Sequence, residues 1–296
     1  MKRLMDIHTH AVASGHAYST VDENLRWAAE QGLQLVALTD HAPAMKDTTC
    51  HAYFANLHVL PKELHGVRLL KGIELNILDF DGTIDMDEAV LQRLDLAIAS
   101  LHMPCIKPGT KKENTQAFLK VMENPYVDII GHPGDPRYAV DYRELFRMAK
   151  ETGTLLEINN ASLTPGGFRE GSRENIKKIL LMSMEEGQPV VLGSDAHFYR
   201  NVGDFSYAED LLRELQFLRK RQQRKQRAER GNLYHCAEDF RPVPHPEMLG
   251  QQYSGPRPCR KERNPQLQRY ALRGRYHHSS LQRRRCDHPR FRPDPH

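Results

Sequence analysis

The feature that most constrains the fold of this chain is the alternation of apolar, strand-like runs with helical patterns over its first 217 residues. Seven such β-α units in succession predict an α/β fold whose parallel sheet is either open or closed into a barrel. The runs are nearly all apolar, as strands buried on both faces are. Strands are predicted at 4–7, 35–39, 67–75, 96–100, 127–130, 155–158 and 190–192, and helices at about 20–31, 87–94, 114–122, 142–151, 173–186 and 205–217.

Side chains that bind metals stand at the C-terminal end of every predicted strand but the sixth. Active sites of barrels lie at these ends, and His8 and His10, two residues apart in an extended segment, point to the same side. The candidate ligands are His8, His10, His16, His41, Glu74, His102, His132, Asp195 and His197. Imidazole and carboxylate without thiolate favour Zn²⁺, with Mn²⁺ or Fe²⁺ as alternatives. The set is too large for one tetrahedral ion and fits two or three.

The ordered motifs resemble the PHP superfamily, named for polymerase and histidinol phosphatase, and are closest to its YcdX-type bacterial phosphatases. The motifs are Asp6-x-His8-x-His10, Thr39-Asp40-His41, Gly72-x-Glu74, His102, Gly131-His132-Pro133 and Ser194-Asp195-x-His197. The likeness covers about residues 1–217, which it identifies as one domain. It implies a distorted, TIM-like (β/α)7 barrel with three metal ions, usually zinc, at the C-terminal ends of the strands.

The resemblance also implies how the ligands divide among three ions. One ion would be bound by His8, His10, Glu74 and Asp195. Glu74 would bridge to a second ion, whose other ligands would be His102 and His132. The third ion would be bound by His16, His41 and His197. Asp40 is expected to accept a hydrogen bond from one of the ligating histidines and so to fix its tautomer.

The implied reaction is the hydrolysis of phosphate monoesters, with a small phosphorylated molecule as substrate. A metal-bound hydroxide at the Glu74-linked pair would attack phosphorus, while the ions neutralise the phosphoryl oxygens and the leaving alkoxide. Glu74 and Asp195 are therefore the candidate catalytic residues, and Asp195 is a candidate proton carrier. Further substrate contacts are suggested, with a surface or turn role as the alternative, at Asn159, Asn160, Ser162, Lys107 and Arg137.

Three other functions are weighed against this one. A PHP-type phosphodiesterase or nuclease would use the same ligands and is not separated by them. An amidohydrolase also begins with His-x-His, but it usually bridges its metals by a lysine, where this chain has Glu74, and ends on a lone aspartate, where this chain has Asp195-x-His197. A non-catalytic protein that binds nucleic acid through a basic segment is disfavoured by the complete ligand set.

The charge of the chain is divided between two unlike parts. Residues 218–296 hold 17 Arg and 3 Lys against 7 acidic residues, whereas residues 1–217 hold 22 basic and 31 acidic ones. The Arg/Pro-rich tail has no apolar periodicity and is predicted to be disordered. It is interpreted as a basic arm for nucleic acid, as a solvated tail or, with the most support, as an out-of-frame translation that begins near residues 217–222.

The sequence lacks the features of a signal peptide and of a membrane span. Its five cysteines are irregularly spaced, without a C-x-x-C pair, which is typical of free thiols in a reducing compartment. A cytoplasmic protein without a membrane partner is therefore expected. Nucleic acid is expected as a partner only through the tail, and a homo-oligomer is left open.

Overall fold

The structure of the protein is a computed structural model that describes residues 4–215. The tail at 218–296, with its predicted disorder and frameshift, lies outside the described residues, and so does the predicted domain boundary at residue 217. The seven predicted strands lie inside the described range. Each has both ends within two residues of its predicted bounds.

Within residues 4–215, seven parallel strands lie side by side in chain order. The strands of the sheet are β1 (Met5–Thr9), β2 (Leu35–Leu38), β3 (Glu63–Leu64), β4 (Val67–Asn76), β5 (Leu96–Ser100), β6 (Ile129–Ile130), β7 (Leu155–Asn159) and β8 (Val190–Gly193). The short β3 is the additional strand, and it forms an antiparallel hairpin with β4. Because the other strands are parallel, their C-terminal ends all lie at the same edge of the sheet.

Helices connect most of these strands and cover the outside of the sheet. They are α1 (Val21–Glu30), α2 (His51–Asn56), α3 (Glu88–Leu91), α4 (Lys111–Met122), α5 (Tyr142–Thr152), α6 (Ser172–Glu186) and α7 (Ser206–Glu214). Helix α4 begins three residues before its predicted start because Thr110 and Glu113 form a capping box there. In the part of the chain that the structure describes, no helix is long and apolar enough to cross a bilayer.

The first and last strands meet and bring the sheet nearly to closure. The amide of Asp195, just after β8, donates to the carbonyl of His8 on β1 at 2.8 Å. The buried carboxylate of Asp6 joins the same strands to the following loop, because it accepts from the amides of Ser194 at 3.0 Å and Gly203 at 2.8 Å. We call this junction the seam. The closure makes the fold a distorted (β/α)7 barrel, as predicted.

Apolar side chains fill the interior of the barrel below the C-terminal ends of the strands. This inner layer contains Ile7, Leu35, Ala37, Leu70, Leu96, Ile98, Ile129, Leu155 and Val191. Side chains two residues apart on a strand share a face, so Ser100 continues the inner face of Ile98. Glu157 in the same way continues the inner face of Leu155. The polar residues at the strand ends therefore rest on an apolar layer.

Candidate metal centre

The predicted ligands converge at the C-terminal ends of the strands, and we call them together the histidine cluster. Most of its members are buried, namely His8, His10, His41, Glu74, His102, His132 and Asp195. His197 is half-buried and His16 is exposed, so these two form the outer edge of the cluster. Ionisable side chains are buried in proteins at high cost unless they are paired or coordinate a metal.

Glu74 lies at the centre of the histidine cluster. Its Oε1 atom is 3.2 Å from His102 Nε2 and 3.0 Å from His132 Nε2. Its Oε2 atom is 2.7 Å from His41 Nδ1 and 3.6 Å from His10 Nε2. Each carboxylate oxygen thus faces a different set of imidazole nitrogens. This is the arrangement of a carboxylate that can bridge two cations.

Asp195 completes the side of the cluster formed by His8 and His10. Its Oδ1 atom is 3.6 Å from His8 Nε2 and 3.2 Å from His10 Nε2. Glu74 Oε1 lies 3.4 Å from the same His8 nitrogen. Asp195 has a φ of 57°, a left-handed conformation that is costly outside glycine and is often found at functional sites. The four side chains that the resemblance assigns to one ion are therefore neighbours.

The three histidines assigned to a third ion meet less closely. His16 Nε2 is 3.0 Å from His197 Nε2, and the His41 ring stacks on His16 with 5.0 Å between centroids. His41 also turns its Nδ1 toward Glu74, so it lies between the outer histidines and the central carboxylate. Ligand atoms close enough to share a cation occur, among the described residues, in the sets His10, His41 and His197; His8, His10 and Glu74; and His41, Glu74 and His102.

Several inward-facing atoms of the cluster fit a metal because they are buried and make no hydrogen bond. Over residues 4–215, the buried atoms without a hydrogen bond include His8 Nε2, His10 Nε2, His41 Nδ1, His102 Nε2 and Glu74 Oε2. Leaving one buried polar atom unsatisfied costs about 1–3 kcal/mol. Five such atoms facing one another would be a large cost in a merely structural cluster. Divalent cations would satisfy all of them at once.

Hydrogen bonds on the outer side of the rings fix which nitrogen faces the cluster. His8 Nδ1 lies 2.8 Å from Glu157 Oε1, and His102 Nδ1 lies 2.7 Å from Asn76 Oδ1. A carboxylate oxygen and an amide oxygen only accept, so in both rings Nδ1 donates. The lone pair of each Nε2 therefore points into the cluster, which is the tautomer that a metal ligand needs.

Asp40 supports the cluster through Ser14 and not by the predicted direct bond to a histidine. Ser14 Oγ donates to Asp40 Oδ1 at 2.6 Å and lies 3.1 Å from His10 Nδ1. Because the hydroxyl hydrogen is used for Asp40, the Ser14 oxygen is left to accept from His10 Nδ1. His10 therefore also presents Nε2 to the cluster. The hydrogen bond that Asp40 was expected to accept from a histidine is accepted by Ser14, which in turn donates to Asp40.

Burial and mutual charge set the protonation of the cluster. Burial lowers the pKa of His10 well below its usual value and that of His102 to about 4, so both rings are neutral at pH 7. Burial alone would raise the pKa of Glu74, but His102, His8 and His41 hold it well below its usual value. His10 and His102 as neutral imidazoles and Glu74 as a carboxylate are in the states that bind metal. Burial would lower the pKa of His8, but Glu157, Glu74 and Asp195 raise it well above its usual value, so a metal at this ring competes with a proton.

The strand-end pattern does not identify three residues that support the cluster, namely Glu157, Asn76 and Arg169. Glu157 is a charged residue within the otherwise apolar run of β7, and this interruption is the feature of the sequence that could identify it. Asn76 follows Glu74 by two residues and so shares its face of β4. Arg169, in the loop before α6, donates from Nη1 to Asp195 Oδ2 at 2.9 Å with its side chain 12% exposed. Its sequence surroundings give no signal.

The suggested substrate contacts have structural partners of their own. Asn159 Nδ2 donates to Asp195 Oδ2 at 3.2 Å, and its Oδ1 accepts from Ser162 Oγ at 2.8 Å. Asn160 accepts from the amide of Ala208 at the start of α7. Asn159 and Ser162 therefore support the site, whereas Asn160 connects the end of β7 to α7. Of the two suggested cations, Lys107 is exposed, and Arg137 pairs with Asp135 and lies 4.2 Å from the ring centroid of Phe168.

Comparison with known proteins agrees with the resemblance of the sequence motifs. Residues 6–163 match the family described as the PHP domain. A "probable phosphatase" of Acetivibrio thermocellus is 46% identical over 215 residues, which are 73% of this chain and 88% of that protein. A "probable phosphatase" of Clostridium novyi is 45% identical over 212 residues, 72% of this chain and 86% of that protein.

A solved structure shares the architecture at low sequence identity. The histidinol phosphate phosphatase of Lactococcus lactis, crystallised with zinc, L-histidinol and phosphate, superposes with a TM-score of 0.50 at 19% identity. The match covers 72% of this chain and 93% of that chain. The family match and the identity to the relatives confirm the resemblance in the sequence motifs, and the chain therefore belongs to the PHP domain family.

Proposed function

We propose that the protein is a metal-dependent phosphatase that hydrolyses phosphate monoesters. The observation that carries this proposal is the set of unpartnered, inward-facing ligand atoms around Glu74. It is supported by relatives that are named probable phosphatases and by a structural neighbour that was crystallised with zinc and phosphate. Zinc is the proposed ion, with manganese and ferrous iron as alternatives, because the donors are imidazoles and carboxylates.

The proposed ligand sets are those that the resemblance of the sequence motifs implies, and the convergence of these side chains at the strand ends supports them. His8, His10, Glu74 and Asp195 would hold one ion; Glu74, His102 and His132 a second; and His16, His41 and His197 a third. Ions bound there supply Lewis acidity, which activates water and offsets the charge of a phosphoryl group. Asp195 Oδ1 faces His8 and His10 while its Oδ2 is held by Arg169. We therefore propose Oδ1 as the metal-binding atom of Asp195, and Asp195 as the residue that carries a proton during hydrolysis.

Arg169 is the proposed protein contact for the phosphate group. Its guanidinium is mostly buried beside the cluster, and its Nε makes no hydrogen bond to the described residues. Arg169 Nε lies 3.7 Å from Asp135 Oδ2, while Nη1 bonds Asp195. A guanidinium presents several donors in a plane and suits a tetrahedral oxyanion. It is thus placed to bind phosphate oxygens while it remains paired with Asp195.

Arg169→Met is expected to weaken phosphate binding. A charge-assisted hydrogen bond contributes about 1.5–3 kcal/mol, so KM for a phosphomonoester and the inhibition constant of inorganic phosphate should rise about 10–100-fold. Steady-state kinetics with phosphate as a competitive inhibitor measure both constants. Arg173→Met is the matched control, because Arg173 is half-exposed and pairs with Glu214 away from the cluster. Equal phosphate inhibition in the two variants would contradict the role of Arg169.

The proposed reaction is tested with the full chain loaded with zinc. We expect hydrolysis of an aryl phosphate monoester and little hydrolysis of the corresponding diester, and the variant with both His8→Ala and His10→Ala should lose bound metal and activity together. A panel of sugar phosphates, nucleotides and histidinol phosphate then ranks substrates. Protein that binds no metal, or a double variant with unchanged activity, would refute the proposal. A preference for the diester would favour the nuclease alternative.

A further inference from the structure

A buried acidic residue outside the predicted ligand set connects two parts of the histidine cluster. Glu157 lies on β7, and its side chain is fully buried. Its Oε1 atom is 2.8 Å from His8 Nδ1. Its Oε2 atom accepts from the backbone amide of His132 at 2.7 Å and from Asn159 Nδ2 at 3.2 Å. One carboxylate therefore holds a member of each of the two ligand sets that meet at Glu74.

The backbone around Glu157 is shaped to leave room for this carboxylate. A Cβ atom at Gly193 on the neighbouring strand β8 would lie 2.0 Å from Glu157 Oε1 and 2.8 Å from His8 Cβ. The φ of Gly193 is ordinary, so it is the space and not the conformation that requires glycine here. The absence of a side chain at this position is thus a condition for the contact between Glu157 and His8.

The contact with His132 acts on the backbone and not on the ring. His132 has a φ of 28°, which is rare for a residue with a side chain. Such conformations persist when the surroundings hold them in place. The hydrogen bond from the His132 amide to Glu157 Oε2 is one such restraint. This hydrogen bond restrains the backbone at the same residue whose imidazole lies 3.0 Å from Glu74 Oε1.

We propose that Glu157 is a positioning residue that sets two metal ligands at once: the tautomer of His8 and the backbone of His132. This inference rests on the metal centre of the proposed function but not on the reaction that the centre performs. Both oxygens of Glu157 are engaged by protein groups, namely His8 Nδ1, the His132 amide and Asn159 Nδ2. It acts by keeping the proton of His8 on Nδ1, so that Nε2 is free to bind metal.

Glu157→Gln separates this role from a merely structural one because the amide has the same shape but accepts on one side only. The amide of His132 cannot become an acceptor, so the glutamine oxygen is expected to stay with it. The glutamine NH2 group then faces His8 Nδ1. His8 responds by moving its proton to Nε2, which removes the lone pair that faces the cluster. The variant should therefore stay folded and lose metal affinity.

The experiment is a zinc titration of the full chain against a competing chelator, together with the visible spectrum of the cobalt-loaded protein. For Glu157→Gln we expect zinc affinity at the tightest site to fall about 10–100-fold. The cobalt spectrum should change, and the melting temperature of the metal-free protein should stay near that of the parent. Glu209→Gln is the matched control, because Glu209 is also a buried glutamate but lies on α7 and contacts Arg213.

Three outcomes would overturn the positioning role of Glu157. Unchanged zinc affinity and cobalt spectrum in a folded Glu157→Gln protein would overturn it, and so would an equal loss of affinity in the Glu209→Gln control. If Glu157→Gln does not fold, Gly193→Ala gives the second test, since its methyl group displaces the carboxylate without changing any charge. A Gly193→Ala protein with full zinc affinity would also overturn it. Zinc binding without phosphatase activity in the parent would instead refute only the proposed function.

Discussion

Glu74→Gln is expected to remove nearly all phosphatase activity. Among the described residues, the Glu74 carboxylate has five histidines within 3.6 Å: His8, His102 and His132 at Oε1, and His10 and His41 at Oε2. An amide nitrogen in place of one oxygen cannot bind a cation and would repel it. Metal ions contribute several kcal/mol to the stabilisation of charge in the transition state, so loss of the bridge should lower kcat at least about a thousandfold.

The measurement for Glu74→Gln pairs kcat with metal content determined by elemental analysis on the same sample. The expected result is a drop in both. Glu63→Gln is the control, because Glu63 is an exposed glutamate on β3 and the substitution makes the same change of charge far from the cluster. A Glu74→Gln protein that keeps its metal and a kcat within tenfold of the parent would show that Glu74 is no bridge.

Removal of metal is expected to lower thermal stability as well as to abolish activity. An ion that binds only the folded state stabilises it by about 4 kcal/mol at a thousandfold excess over its Kd. For a domain of about 200 residues this corresponds to roughly 10 °C in Tm. The loss should be larger than for a surface ion, because chelation leaves the Glu74 Oε2, His10 Nε2 and His102 Nε2 atoms buried without a hydrogen bond.

Differential scanning calorimetry of the full chain before and after chelation measures this effect. Return of zinc to the chelated protein should restore both Tm and hydrolysis of an aryl phosphate. Magnesium should restore neither at the same concentration, because it prefers oxygen ligands. An identical Tm with and without chelator, in protein shown to lose its metal, would mean that the cluster is stable without ions.

The alternation of the sequence predicts the fold well because each element carries its own signal. The run at 96–100 coincides with β5 in both its ends. Elements without a periodic signal were missed: β3 has two residues and is joined to β4 through His65 and Gly66, both of positive φ. Such a hairpin turn is usually marked by Asn-Gly or Asp-Gly, and His-Gly gives no comparable signal. The alternation of strands and helices also leaves open whether the sheet closes, and only the resemblance of the motifs predicts the barrel.

The ligands were predictable because they follow strands directly, and the groups that orient them were not. His8 and His10 stand in a short motif, whereas Glu157 reaches His8 from a strand that lies 149 residues further along the chain. Arg169 is brought to Asp195 by the loop that precedes α6. Contacts of this kind depend on the closed barrel, and no spacing rule along the chain specifies them. The motif predicts a supporting role for Asp40 but not its partner, because Ser14 lies between Asp40 and His10 and forms the hydrogen bonds to both.

The seam has a consequence for the order in which the protein becomes able to hold metal. His8 lies on the first strand and His10 directly after it, while Ser194, which closes against His8, follows His8 by 186 residues. On the ribosome the two N-terminal histidines emerge long before Asp195 and His197 do. An ion shared between the two ends is therefore captured only after the last strand has docked. Uptake of that ion would then report completion of the barrel, and a chain that fails to place β8 would fail to retain the ions that Asp195 and His197 help to hold, even with both N-terminal histidines intact.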